Sequence, residues 1–352
     1  MTLHASSIQE TYEKMRILLR DIVPEIEIRY KAELVYEINR LKKAQGAIIL
    51  GHNYMEPALY HTVADVVGDS LELSRKAACT DCKPIVFCGV RFMAETAKIL
   101  NPDKTVLLPS EKAGCSLAEG ITAEDVRNLR VKYPGVPVVT YINTYADVKA
   151  ESDVCCTSSN ATRVVSSLKS DSVIFLPDEY LAKNVANETG KKIIFPTKQV
   201  FSRNKEGDNT LDSTMIGWPG RCEVHDKFTV DDVEKVRAQF SDVVVLAHPE
   251  CSPEVVAASD FSGSTSKMIE YVKQSRGKRY LLLTECTMGD NIAAENPEKE
   301  MVRLCSIRCP HMNEITLEET LNALRHNQYI IEVPENIRVR ARRAIERMLE
   351  IV

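Results

Sequence analysis

Residues 243–251 read VVVLAHPEC, an unbroken β-branched run that ends in a polar cluster opening on His248. The same order stands at 138–145, VVTYINTY, and at 47–54, AIILGHNY. Runs of four or five β-rich residues without alternation suit parallel strands buried on both faces. Two further runs follow each opening: IVFCG at 85–89 and TVLL at 105–108, VIFL at 173–176 and KIIF at 192–195, YLLLT at 280–284 and MVRLC at 301–305. Between them lie helix candidates such as LELSRKAA at 71–78, ATRVVSSL at 161–168 and SKMIEYVKQ at 266–274. Strands alternating with helices predict an α/β protein with right-handed crossovers.

The three sets share more than strand order. Each polar cluster is followed by small hydroxyl residues ahead of a helix: GDS at 68–70, TSSN at 157–160, SGSTS at 262–266. Each set then reaches a cysteine beside Gly or Pro: AGC at 113–115, PGRC at 219–222, RCP at 308–310. Ser70 to Cys115 and Ser264 to Cys309 both span 45 residues, whereas Ser158 to Cys222 spans 64. The excess of 19 falls in a polar stretch that reads as a surface insertion at 197–217. A unit of roughly 90 residues used three times predicts an α/β fold of three pseudo-symmetric, three-layer βαβαβ units around a central cavity. The expected limits are 1–118 with N-terminal helices, 119–222 with the insertion, and 223–333. The C-terminal helix, 334–352, is expected against the first unit.

Composition removes several functions. Of 352 residues 44% are apolar and 27% charged, as in globular proteins rather than disordered or fibrous ones. A balance of 45 basic against 50 acidic residues argues against a nucleic-acid partner, and 21 aromatics leave little for base stacking. Apolar runs stop at about five residues, far below the roughly 18 of a membrane span. No apolar signal core opens the chain, so a cytoplasmic location is expected. No Gly-rich nucleotide loop of either common type is present.

Eleven cysteines, an odd count in a chain expected in the cytoplasm, speak for metal, catalysis or burial rather than disulfides. Cys88, inside IVFCG, reads as a buried hydrophobe. Cys115, Cys222 and Cys309, one per unit, are different, because packing alone does not explain their matching positions. Strand carboxyl ends carry ligand sites in α/β layers, so three units facing one axis would bring the three thiols together. Such a triad suits a Cys₃ zinc site, with His225 as fourth ligand, or a [4Fe–4S] cluster with one open iron. The hydroxyls of Ser70, Ser158, Ser264 and Thr265 would sit at helix starts, which bind anions. His52, Tyr54, Tyr141, Asn143, His248 and Glu250 fall just past strand ends and supply acid–base candidates.

Together GHNY, GDSLEL, AGCSL, YINTYADVKA, TSSNA, WPGRC, AHPEC, GSTSKM, LLLTE and CPHM resemble quinolinate synthase of the de novo NAD pathway, over about residues 40–330. The resemblance implies three pseudo-symmetric α/β domains and a [4Fe–4S] cluster on Cys115, Cys222 and Cys309. It also implies condensation of iminoaspartate with dihydroxyacetone phosphate to quinolinate, with loss of phosphate and water. His52 and Tyr54 would match the family's catalytic pair, Tyr141 and Asn143 would hold carboxylates or the intermediate, and His248 with Glu250 would handle protons. Ser70, Ser158, Ser264 and Thr265 would bind phosphate or carboxylate oxygens, with Thr284, Glu285 and Met312 as weaker matches. A transient contact with the enzyme that supplies iminoaspartate follows from the same likeness. Cys305 and Cys309 are four apart where some relatives have a C-x-x-C-x-x-C, and Cys79 with Cys82 form a C-x-x-C of their own. A phosphometabolite sensor holding zinc or a cluster, without turnover, is the alternative from another class.

Overall fold

The computed structural model describes residues 2–196, 213–304 and 307–351. Three parallel sheets follow one another along the chain. The first is built from β1 (Ile48–His52), β2 (Val66–Gly68), β3 (Ile85–Cys88) and β4 (Val106–Leu107), in the order β2-β1-β3-β4. The second holds β5 (Val138–Tyr141), β6 (Val154–Cys156), β7 (Val173–Leu176), β8 (Lys192–Ile194) and β9 (Thr214–Gly217), ordered β6-β5-β7-β9-β8. The third repeats the first with β10 (Val243–Ala247), β11 (Phe261–Ser262), β12 (Arg279–Leu283) and β13 (Glu300–Val302), ordered β11-β10-β12-β13. Every pairing between these strands is parallel, helices fill the connections, and residues 329–331 add an antiparallel bridge at Leu107–Ile330 on the edge of the first sheet. β1, β3, β5 and β7 are buried at every residue, which is why their sequences do not alternate. The α/β architecture of three matching units is therefore as the sequence predicts.

Two features of the strand reading are corrected. Each unit has four shared strands rather than three, because β2, β6 and β11 are only two or three residues long and leave no apolar run to find. KIIF at 192–195 is not the counterpart of TVLL: β8 is an extra edge strand, and β9 takes the fourth position beside β7. Thr214–Gly217, assigned above to a polar surface excursion, is thus a fully buried strand inside the sheet. Residues 197–212 of that stretch, and Cys305, lie outside the described residues.

The threefold relation extends to polar detail. Asp65, Asp153 and Asp260 each accept a hydrogen bond at Oδ2 from a strand N–H, that of Ile49 (2.8 Å), Val138 (2.7 Å) and Val245 (2.7 Å). Each also pairs with a cation from the helix ahead of the unit's first strand: Lys42 at 2.9 Å, Arg130 at 2.8 Å and Arg237 at 3.0 Å. A carboxylate bonded to both a backbone donor and a cation pins the second strand of each unit against the first.

The C-terminal helix Glu335–Glu350 buries Ala341, Ala344, Ile345 and Met348, one stripe of an amphipathic helix. It lies against the helix Arg91–Leu100 of the first sheet's unit and also against Ala146–Ala150 and β6 of the second. Arg340 pairs with Glu151 at 3.0 Å and Arg347 donates to the Asp153 carbonyl at 3.4 Å, so the helix ties two units rather than one.

Candidate functional site

The strand registers define equivalent positions. Leu50 pairs with Val66, Val139 with Val154, and Leu246 with Phe261, so His52, Tyr141 and His248 occupy one position, and Tyr54, Asn143 and Glu250 another two residues on. Side chains from all three units line one cavity with about 660 Å³ of empty space, and these six are among them.

The two histidines are held alike. The Tyr54 N–H donates to His52 Nδ1 at 3.2 Å, and the Glu250 N–H donates to His248 Nδ1 at 3.3 Å. An Nδ1 that accepts leaves Nε2 as the protonated nitrogen of a neutral ring. Burial pushes His52 down to about 4 and His248 down to about 3, so both rings are neutral donors at pH 7.

Glu250 anchors a network across the units. Tyr141 Oη donates to its Oε1, the Asn143 amide donates to the same oxygen at 3.5 Å, and His225 Nδ1 lies 2.8 Å from Oε2. Burial opposes ionisation of Glu250, but the adjacent His225 and His248 and the donated hydrogen bonds outweigh it and hold the carboxyl below its usual range. The other nitrogen of His225 lies 3.0 Å from Thr284 Oγ1, which in turn meets Tyr54 Oη at 2.5 Å. Burial raises the Tyr54 and Tyr141 phenols well above the ordinary tyrosine range, so both carry their protons.

Four residues past the paired Val66, Val154 and Phe261 stand Ser70, Ser158 and Thr265, and all three line the cavity. Ser70 and Thr265 are the first residues of helices Ser70–Cys79 and Thr265–Gln274. Ser158 stands two residues before Asn160, which precedes the helix Ala161–Ser167, so it is not itself a helix start. Ser264 is placed differently from its expectation: it is fully buried outside the lining, and its hydroxyl meets that of Ser159 at 3.1 Å. The register makes Thr265, not Ser264, the partner of Ser70 and Ser158. Asp69 also lines the cavity and caps Ser70–Cys79 through the Leu71 and Glu72 N–H groups at 3.0 Å. The reading of GDS as a hydroxyl signal missed it, although an Asp ahead of a helix is a strong cap.

The three cysteines share one local fold. At each, the backbone N–H groups just ahead favour the thiolate: those of Ala118 and Leu117 at Cys115, of His225 and Val224 at Cys222, and of Met312 and His311 at Cys309. The carbonyls of Cys115, Cys222 and Cys309 accept, each at 3.0 Å, from Glu119, Asp226 and Asn313. Seven residues on, Thr122, Thr229 and Thr316 cap the next helices. This C-x₆-T spacing, present in the sequence, went unread. Gly220, before Cys222, is fixed by backbone contact, since any Cβ there would collide with the Pro177 carbonyl oxygen. All three thiols line the cavity. Burial raises Cys115 to about 12, Cys309 to about 11 and Cys222 well above its usual range, and the nearby Glu250 carboxylate adds to the rise at Cys222.

Cys222, His225 and Glu250 offer ligand atoms within 4.8 Å of one another, a candidate metal site inside the same cavity. Cys88, Cys155, Cys156 and Cys251 are buried in the core, whereas Cys79 and Cys82 are exposed. Glu285 is buried, its carboxyl bonded to the Thr287 N–H at 2.8 Å and its pKa pushed up to about 7 by burial. Met312 lines the cavity, while Thr284 reaches it only through Tyr54 and His225. Among the described residues no helix is long and apolar enough to cross a membrane.

Residues 36–350 match the family model described as quinolinate synthetase A protein. The chain is 52% identical over 331 residues to quinolinate synthase 1 of Mesorhizobium japonicum, covering 94% of this chain and 95% of the relative. It is 49% identical to quinolinate synthase 2 of the same organism, covering 98% and 100%, and 51% identical to quinolinate synthase of Agrobacterium fabrum, covering 94% and 89%. With half of its residues shared across nearly its whole length, the chain belongs to the quinolinate synthetase A family and is an enzyme of that type.

Proposed function

We propose that this enzyme condenses iminoaspartate with dihydroxyacetone phosphate to give quinolinate, phosphate and water, with a [4Fe–4S] cluster on Cys115, Cys222 and Cys309. The observation that carries the reading is the cysteine turn repeated three times around one cavity. All three thiols line it, each cysteine carbonyl accepts at 3.0 Å from the residue four on, and the backbone N–H groups of each turn favour the thiolate. Such donors stabilise thiolate charge, which buried thiols otherwise disfavour, so the donor set fits a cationic group that takes three thiolates. When bound, the cluster would supply an iron without a protein thiolate, a Lewis acid for a departing hydroxyl.

The chain's own residues have distinct parts in this reading. The Nε2–H groups of His52 and His248 donate to substrate carboxylate or carbonyl oxygens without adding charge. Ser70, Ser158 and Thr265 receive phosphate or carboxylate oxygens. Glu250, ionised, takes protons during the dehydrations, with Tyr141 and Asn143 orienting it and contacting substrate carboxylates. Tyr54 keeps its proton and donates it. Imines hydrolyse in water, so a transient contact with the enzyme supplying iminoaspartate, in the cytoplasm, belongs to this reading.

A single divalent ion on Cys222, His225 and Glu250 is the second reading, favoured by the closeness of those ligand atoms. Iron and sulfide analysis of anaerobically purified protein, with an assay for quinolinate from the two substrates, tests both. Near-stoichiometric iron and sulfide with product formation is expected. One divalent ion per chain without sulfide, or no product from the iron-loaded protein, overturns the proposal.

A further inference from the structure

The pseudo-threefold symmetry breaks at one position beside the cavity, and the break makes a second cleft. Two residues beyond Ser70, Ser158 and Thr265 stand Glu72, Asn160 and Lys267. In the first unit Glu72 accepts from the Asp69 N–H at 3.1 Å and closes a capping box. In the second, Asn160 Oδ1 takes that part, accepting from the Thr157 N–H at 2.8 Å. Its Nδ2 is thereby turned away from the cap; it is buried and has no partner, in a residue only 1% exposed. A buried amide donor left unpaired is unfavourable unless a ligand supplies the acceptor. In the third unit Lys267 cannot close a capping box at all, and it stands in the first turn of a ten-residue helix, where the dipole disfavours a cation and no acid offsets it.

These departures meet in one cleft between the second and third units, with about 910 Å³ of empty space, lined by Asn160, Arg163 and Lys267 among others. Among the described residues neither Arg163 nor Lys267 has a carboxylate partner; Arg163 donates only to the Ser159 carbonyl, at 3.4 Å. Glu188, also in the lining, is engaged by the Thr162 hydroxyl at 2.5 Å. Ser158 lines both this cleft and the central cavity.

We infer that the cleft is a capture site for a phosphate-bearing small molecule, held by Arg163 and Lys267, with the buried Asn160 amide turning out to meet it, and passed along Ser158 into the central cavity. The inference rests on the reading of the enzyme's substrate as a phosphate ester, but the cleft's affinity for phosphate is a separate property. Two unpaired cations at the mouth of a cavity raise the local concentration of an anion and its rate of entry.

The test uses the holoprotein and a double variant, Arg163→Gln with Lys267→Gln, both at exposed positions. For dihydroxyacetone phosphate, KM is expected to rise about tenfold with kcat little changed, and the dependence of kcat/KM on ionic strength to flatten. Asn160→Asp keeps the acceptor for Thr157 and replaces the free donor by a negative oxygen, so it is expected to weaken capture. The buried charge also lowers the melting temperature, so the exposed double variant carries the test. Inorganic phosphate, titrated calorimetrically, should lose one class of binding site in the double variant. Unchanged KM and salt dependence, with an unchanged phosphate titration, overturn the inference. If the holoprotein makes no quinolinate, the functional reading fails, and the phosphate titration still decides the cleft.

Discussion

The phenol oxygen of Tyr54 and the hydroxyl of Thr284 lie 2.5 Å apart although 230 residues separate them in the chain. Through Thr284 the phenol joins His225 at 3.0 Å, and through His225 it joins Glu250 at 2.8 Å. Strand ends of the first and third units are thus linked by one line of hydrogen bonds. Tyr54→Phe removes the proton and keeps the ring's packing. Turnover is expected to fall about a hundredfold or more with the melting temperature little changed. Unaltered turnover would rule out the phenol as a proton donor.

The cavity thiols separate from the core thiols by measurement of iron. Cys115→Ser, Cys222→Ser and Cys309→Ser should each abolish cluster iron and visible absorption. Cys88→Ser, Cys155→Ser and Cys251→Ser, all at fully buried positions, should keep the iron and lose about 1–3 kcal/mol of stability from burying a hydroxyl. Iron retained in a Cys115, Cys222 or Cys309 variant would exclude that cysteine as a ligand.

Among the hydroxyls, the register makes a prediction that sequence spacing did not. Ser70→Ala, Ser158→Ala and Thr265→Val should each weaken substrate binding by about 1–3 kcal/mol, the scale for a hydrogen bond to a charged group. Ser264→Ala, away from the cavity lining, should leave KM near the parent value. Equal effects at Ser264 and Thr265 would contradict the alignment of the three units.

Thr122, Thr229 and Thr316 test the pseudo-symmetry as a matter of stability. Each accepts from a backbone N–H at the third helical position, Asp125 at 3.3 Å, Asp232 at 3.2 Å and Glu319 at 3.2 Å. Alanine at any one should lose about 1 kcal/mol in chemical denaturation. Iron content should not change, because the threonines follow the cysteine turns rather than form them.

Stability should fall on acidification before the carboxylates titrate. Burial lowers both His52 and His61 from 6.5 to about 4. Above pH 6.5 both states leave these rings neutral and no difference arises. Between 6.5 and 4 the unfolded chain binds the protons and the folded chain does not, so each ring removes about 1.4 kcal/mol of stability per pH unit. The loss stops growing as pH drops through 4, where the folded rings protonate. Denaturation midpoints measured from pH 7.5 to 4.5 check the sign; His52→Asn should flatten the slope.

Much of this protein follows from residue order alone. Unbroken runs such as VVVLA predict buried parallel strands, because a strand covered on both faces has no reason to alternate. The closely similar intervals Ser70–Cys115 and Ser264–Cys309 expose the repeat, although the register shifts the second by one residue to Thr265, and the three cysteines of the repeat do line one cavity. What spacing could not decide depends on contacts between distant segments. Strands as short as Phe261–Ser262 exist only because a neighbour supplies their hydrogen bonds, so no local signal marks them. The placing of Thr214–Gly217 inside a sheet depends on pairing with β7 and β8, not on the polar residues before it. Likewise, Thr265 rather than Ser264 lines the cavity because Thr265 opens the helix Thr265–Gln274, whereas Ser264, just ahead of it, turns its hydroxyl to Ser159 of another unit. The protonation of His52, His248 and Glu250 was beyond sequence altogether, since it comes from burial and from donors folded in from other units.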